Sequence, residues 1–276
     1  MTTPPEVPSP ERAPRRGLIV TLAVLLAIAI VVIVVLVVRG DGSTDEPVAS
    51  PSPTPSASPA PEPTTTTQSS SPSAVAGCAP NGVAVPTGAH EVEVVDIDGD
   101  GRSDTAWISP GADRRFGITT ASGATFSIAI VSASPVPASA VVNLVQTDKL
   151  PIALVDLGRE AFVYSLAQCQ VQTVANAQGQ PYTFDRGFAG VGTGVGCSGT
   201  DLDLAGLNAV TAADGTYTVT RTFVTLDADA RHATNGSPAQ VATGAASTDP
   251  VVTTAQKVTC GDLVAGDPAD GPVEPQ

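Results

Sequence analysis

Leu18 to Val38 is a run of 21 residues without a single charge, and no other feature constrains this chain as strongly. As an α-helix it would span about 30 Å, the thickness of a bilayer's hydrocarbon core. A cleaved signal peptide has a shorter apolar stretch followed by a small-residue cleavage site. Here Arg39-Gly40-Asp41-Gly42-Ser43 follows, with neither such a site nor a lipid-attachment cysteine. The run reads as an uncleaved signal anchor, a transmembrane helix over 18–38, rather than as a buried soluble helix. Its β-branched stretch from Ile30 to Val35 is no obstacle in lipid, where every backbone group is bonded within the segment.

Charge sets the orientation. Arg12, Arg15 and Arg16 precede the run, whereas Asp41, Asp45 and Glu46 follow the single Arg39. The positive-inside rule places residues 1–17 in the cytoplasm and the remainder outside a cell membrane crossed once. A 17-residue tail with five Pro is too short to fold into a signalling domain. Residues 39–76 form a linker rich in Pro, Ser and Thr, with Pro at 47, 51, 53, 55, 59, 61, 63 and 72. Such a segment buries no core and is expected to be disordered, extending as polyproline II to a stalk of up to about 95 Å.

Lys and Arg total 13 against 27 Asp and Glu, a formal charge of −14. Nothing here neutralises a phosphate backbone, so nucleic acid is excluded as a partner. With 42% apolar residues the chain is not wholly disordered either. Only Lys149 and Lys257 are lysines, and together with the bias towards Ala, Val, Thr and Asp this points to a high-GC bacterial genome.

From 77 to 263 short alternating runs separated by Gly, Asp, Asn and Pro predict an all-β domain, and 264–276 is expected to be a disordered tail. Strands are predicted at 91–95, 105–109, 115–120 and 124–131, then at 141–145, 152–156, 160–166 and 170–174. A third set begins near Thr200, with strands at 207–211 and 216–226. Four short antiparallel strands per set is the arithmetic of a small or incomplete β-propeller. A fourth set would have to come from residues 235–260, completed by Val83 to Val85.

One loop carries chemistry. Asp96-Ile97-Asp98-Gly99-Asp100-Gly101-Arg102-Ser103-Asp104 has carboxylates at positions 1, 3, 5 and 9 and Gly at position 6. Hard cations such as calcium take six to eight oxygens, and carboxylates on alternate residues of a tight loop turn inward together. The Arg102 carbonyl would supply a neutral ligand at position 7. An EF-hand needs Glu at position 12, where this chain has Trp107, so the loop reads as a β-hairpin calcium site. The alternative is a solvated Asp/Gly turn, in which four carboxylates would repel one another unscreened.

This loop, followed by Phe116-Gly117-Ile118 and Gly123-Ala124-Thr125-Phe126, resembles one blade of the FG-GAP/VCBS repeat family. Integrin α-subunit propellers and many bacterial surface proteins are built from such blades. The resemblance implies that Asp96, Asp98, Asp100, the Arg102 carbonyl and Asp104 bind Ca2+, and that the domain serves adhesion or recognition. In the third set Asp201, Asp203 and Gly206 match the pattern, but Ala205 and Ala209 replace two carboxylates; the second set keeps only Asp148. Those loops are expected to hold no metal.

Cys78, Cys169, Cys197 and Cys260 all fall on the outer side of the membrane, where disulfides persist. Cys169–Cys197 and Cys78–Cys260 is the expected pairing; a zinc site is disfavoured because no C-x-x-C pair occurs. His90 and His232 are the only histidines, and neither H-E-x-x-H nor G-x-S-x-G is present. Ser198 has no visible base, the glycines at 190, 192, 194 and 196 read as a closely packed strand, and Trp107 reads as core. The domain is therefore expected to bind an extracellular protein or glycan without catalysis. The alternatives are a structural accessory subunit of an envelope complex and a carbohydrate-active enzyme using Asp156 and Glu160.

Overall fold

Runs that alternate apolar and polar residues bury one face of a strand, and Gly- and Asp-rich turns between them bring successive strands together antiparallel. The computed structural model describes residues 77–187 and 193–276, and it is nearly all β. The expected tail 1–17, membrane helix 18–38 and linker 39–76 lie outside the described residues, as do Gly190 and Gly192 of the glycine run. Among the described residues no helix is long and apolar enough to cross a membrane.

Three antiparallel sheets follow one another. The first runs β1 (His90–Val94), β2 (Asp104–Ile108), β3 (Arg115–Thr119) and β4 (Thr125–Ala129), each paired with the next. The second runs β5 (Ser139–Val145), β6 (Leu150–Asp156), β7 (Glu160–Ser165) and β8 (Gln172–Thr173), with β9 (Thr183–Asp185) also pairing with β7. The third runs β10 (Thr193–Ser198), β11 (Asp203–Thr211), β12 (Tyr217–Leu226) and β13 (Ala233–Ala245). A short helix, α1 (Pro250–Thr254), and a small hairpin, β14 (Thr259–Cys260) with β15 (Leu263–Val264), follow among the described residues.

No fourth four-stranded set forms from residues 235–260. Their first part is β13, the last strand of the third sheet, and the rest is α1 and part of the small hairpin. Val83 to Val85 joins no strand.

Period-two alternation divides the middle sheet between two cores. Val141, Val145, Ile152, Leu154, Ala161 and Val163 face the third sheet, packing with Val195, Leu204, Val224 and Leu226. Their neighbours Ala140, Val142, Ala153, Val155 and Tyr164 face the first sheet, packing with Ala106, Ile108, Phe116 and Ile118. The middle sheet is thus buried on both faces, which is why β6 reads Leu-Pro-Ile-Ala-Leu-Val rather than alternating. On the far face of the first sheet, Trp107 lies across Gly117, its register partner. A Cβ on Gly117 would stand 2.2 Å from the indole ring, so the close approach requires glycine.

Two expectations about covalent and terminal structure are corrected. The disulfides are Cys78–Cys169 and Cys197–Cys260. Cys260 lies beside β10, where Gly261 N–H donates to the Cys197 carbonyl, so it never returns towards Cys78. Cys78 is instead held to the loop after β1 and meets the turn Ala167–Cys169 that ends β7. With sequence separations of 91 and 63, each bridge stabilises by about 4–5 kcal/mol on the chain-entropy model.

Residues 264–276 do not fray. Ala140 N–H donates to the Pro272 carbonyl, Glu274 N–H donates to the Ala138 carbonyl, and Val273 pairs with Ser139. The Glu274 carboxylate takes a 3.0 Å bond from Arg114 and a 2.8 Å bond from Ala138 N–H. The segment thereby covers the free edge of β5, which would otherwise expose unpaired backbone.

Every cysteine falls in a different tryptic peptide, so non-reducing mass mapping is decisive. Peptide 160–186 should migrate joined to 40–102, and 187–221 joined to 258–276. A link between 160–186 and 187–221 would contradict the fold. Gly117→Ala should lower stability by about 1–3 kcal/mol, because the indole must move. Chemical denaturation measures this, and an unchanged midpoint would contradict the packing described.

Candidate metal centre

The loop between β1 and β2 is built by its own carboxylates. Asp96 Oδ1 accepts from Gly99 N–H at 2.7 Å and Oδ2 from Gly101 N–H at 2.8 Å. Gly101 has φ +85°, a left-handed conformation open to glycine at no steric cost, which lets the chain turn back over Asp96. Asp104 Oδ2 accepts from Ile97 N–H at 2.7 Å and Oδ1 from Ala121 N–H at 2.8 Å, joining this loop to the β3–β4 turn. Asp98 Oδ2 accepts from Cys78 N–H at 2.7 Å and lies 2.9 Å from the Ser122 hydroxyl.

These bonds converge three negative groups. One carboxylate oxygen each from Asp96, Asp98 and Asp104 lies within 4.8 Å of the others. Asp104 is 1% exposed. Its burial raises its pKa above the ordinary carboxylate value, and repulsion from Asp98 and Asp96 adds to this, while the two backbone bonds oppose it. Such a group of oxygens, drawn from one loop, could hold a hard cation.

The fourth expected carboxylate stands apart. Asp100 Oδ2 takes a 2.8 Å bond from Arg102 Nη2, and Oδ1 accepts from Arg102 N–H at 2.9 Å. The guanidinium hydrogen bond holds the Asp100 carboxyl below the ordinary range. Arg102 is thus tied through its side chain, and its charge also acts on Asp98 and Asp104. Sequence spacing gave no sign of two further participants, the Cys78 amide and Ser122, because they reach Asp98 from elsewhere in the chain.

Most of the other candidate residues have partners of their own. His90 Nδ1 accepts from Val273 N–H at 3.0 Å, and His232 Nδ1 lies 2.7 Å from Asp227 Oδ2 on the surface. Asp156 accepts from Gly158 N–H and pairs with Arg186 at 3.4 Å; the Glu160 carboxylate lies 3.5 Å from the Ser132 hydroxyl. Trp107 is 1% exposed, and its Nε1–H donates to Thr119 Oγ1. Asp201 and Asp203 flank the start of β11, and no second group of three metal-ligating side chains occurs among the described residues.

Comparison with family models, with curated proteins and with solved structures finds no match to the chain.

A raised Asp104 pKa makes the native domain bind more protons than the unfolded chain at pH values above the ordinary 3.8. Its contribution is present below that value and is lost as pH rises through the raised one. In the presence of a chelator, the stability difference between wild type and Asp104→Asn should therefore shrink as pH increases across this window. A difference that grows with pH would contradict the environment described.

Proposed function

We propose that this is a single-pass bacterial cell-surface protein whose calcium-stabilised β domain, carried outward on a linker, binds an extracellular protein or glycan without catalysis. The convergence of Asp96, Asp98 and Asp104 carries the calcium reading. In that reading Asp100, exchanging its bond to Arg102 for the cation, and the Arg102 carbonyl complete the ligand set, as they would in an FG-GAP/VCBS blade. Three successive antiparallel sheets support a propeller-like arrangement built from such blades. Two disulfides support an oxidising, extracytoplasmic compartment. The charge-free run 18–38 supports the membrane anchor, with the lipid bilayer as its partner.

A second reading rests on the bonds of Asp98. Because it ties the Cys78 amide and Ser122 to the loop, a cation here would chiefly staple the start of the domain to its first sheet. On that reading the protein is a structural accessory subunit of an envelope complex.

Calcium titration tests the cation. Extracellular calcium modules bind with dissociation constants of about 10⁻⁴–10⁻³ M. At tenfold excess over that constant the native state gains about 1.4 kcal/mol, a rise of about 3–6 °C in melting temperature. Calcium, but not equimolar magnesium, should produce this rise. Asp98→Asn should abolish it relative to the same variant in chelator, while Asp203→Asn should keep it. Equal responses in the two variants would remove the calcium from this loop.

A further inference from the structure

The outer face of the third sheet is only partly covered. α1 closes over Ala209, Val219 and Ala245 through Val252 and its flanking Ala255. A five-residue helix is only about 7–8 Å long, so part of that face stays open. A cavity of about 350 Å³ lies there, with Gly196 and Ala205 as its floor, Leu207, Val241 and Val251 among its walls, and Arg221 at one side. The register explains the space. Gly196 stands opposite Ala205, and Leu207 opposite Arg221. A Cβ on Gly196 would come within 3.3 Å of Leu207 and would begin to fill the floor.

Arg221 is the anomaly. Its guanidinium carbon lies over the Phe223 ring, 4.2 Å from its centre. It makes no ion pair or hydrogen bond among the described residues, and its Nε–H is shut off from solvent without an acceptor. An unpaired guanidinium lining a largely apolar cavity favours an anionic partner. No carboxylate lines the cavity to provide one. The chain otherwise carries a large excess of acid, so an unpaired arginine here is not for want of carboxylates elsewhere.

We propose that this cavity binds a small carboxylate carrying a compact aliphatic body, with Arg221 as its anchor. A carboxylate presents two oxygens to the edge of a guanidinium, and the apolar walls accept the hydrocarbon that follows. Sulfate or phosphate would match the charge but leave those walls against water. The volume is that of a small-molecule site rather than a protein interface. The cavity shares no residue with the Asp96 loop, so this site stands or falls independently of calcium.

The test uses the full chain reconstituted in lipid nanodiscs, with 4-methylpentanoate as probe and empty nanodiscs as blank. Titration calorimetry should show saturable binding by the wild type. The isosteric 4-methylpentanamide and the bare acetate ion should each bind at least about tenfold more weakly. Arg221→Gln should weaken the acid about tenfold or more while leaving the amide unchanged. Ala205→Leu, which fills the floor and leaves the cation in place, should abolish binding of both. No saturation by the wild type in the millimolar range, equal affinity for acid and amide, or an Arg221→Gln variant that binds as the wild type does would overturn the proposal.

Discussion

Burial of the middle sheet on both faces is the condition from which the rest of the domain follows. A strand such as Leu150–Asp156 has no side left for water, so an element must lie on each face and a cover on the free edge. The first sheet supplies one face through Ile108, Phe116 and Ile118, and the third supplies the other through Val195, Leu204 and Val224. Residues 272–274 supply the edge cover by pairing with β5. Isolated hairpins of this size would be marginal in water; stacked three deep, they share two cores.

Much of this was legible in the sequence. Ten of the strands announce themselves because they are short and alternating, or apolar between Gly and Asp turns, and such signals are local. What failed was non-local. β13 is an uncharged polar strand, exposed along most of its length, and it exists because β12 pairs with it rather than because of any apolar pattern of its own. The segment after Val264 has the Pro, Gly and Asp content of a frayed end, yet Arg114 and β5 hold it in place. Cysteine proximity along the chain misled in the same way: Cys169 and Cys197 are near in sequence, but Cys169 ends the turn after β7 while Cys197 lies in β10, and each bonds to a distant cysteine.

The acidic loop shows the same boundary between local and distant information. Its carboxylate spacing correctly brings Asp96, Asp98 and Asp104 together, since turn geometry depends on residues within the loop. The spacing could not reveal that Asp100 would turn to Arg102, nor that Asp98 would reach Cys78 and Ser122. The loop is therefore a junction as much as a donor set. It joins the start of the described domain, the β1–β2 hairpin and the β3–β4 turn at one point.

The Cys78–Cys169 bridge also fixes how the domain would carry tension. A pull on the chain preceding Gly77 enters at Cys78 and crosses covalently to the end of β7. Everything between those two cysteines, the strands β1 to β7 and the acidic loop among them, lies on a bypassed circuit and bears no stretching force along the chain. The load passes instead into the chain after Cys169, through β8 and β9, which pair with β7. If the far end of the pull is a ligand seated on the third sheet, the strands that must resist are β8 and β9, held to the middle sheet by their pairing with β7. The molecule's most delicate part, the cluster of like charges, sits outside the line of force.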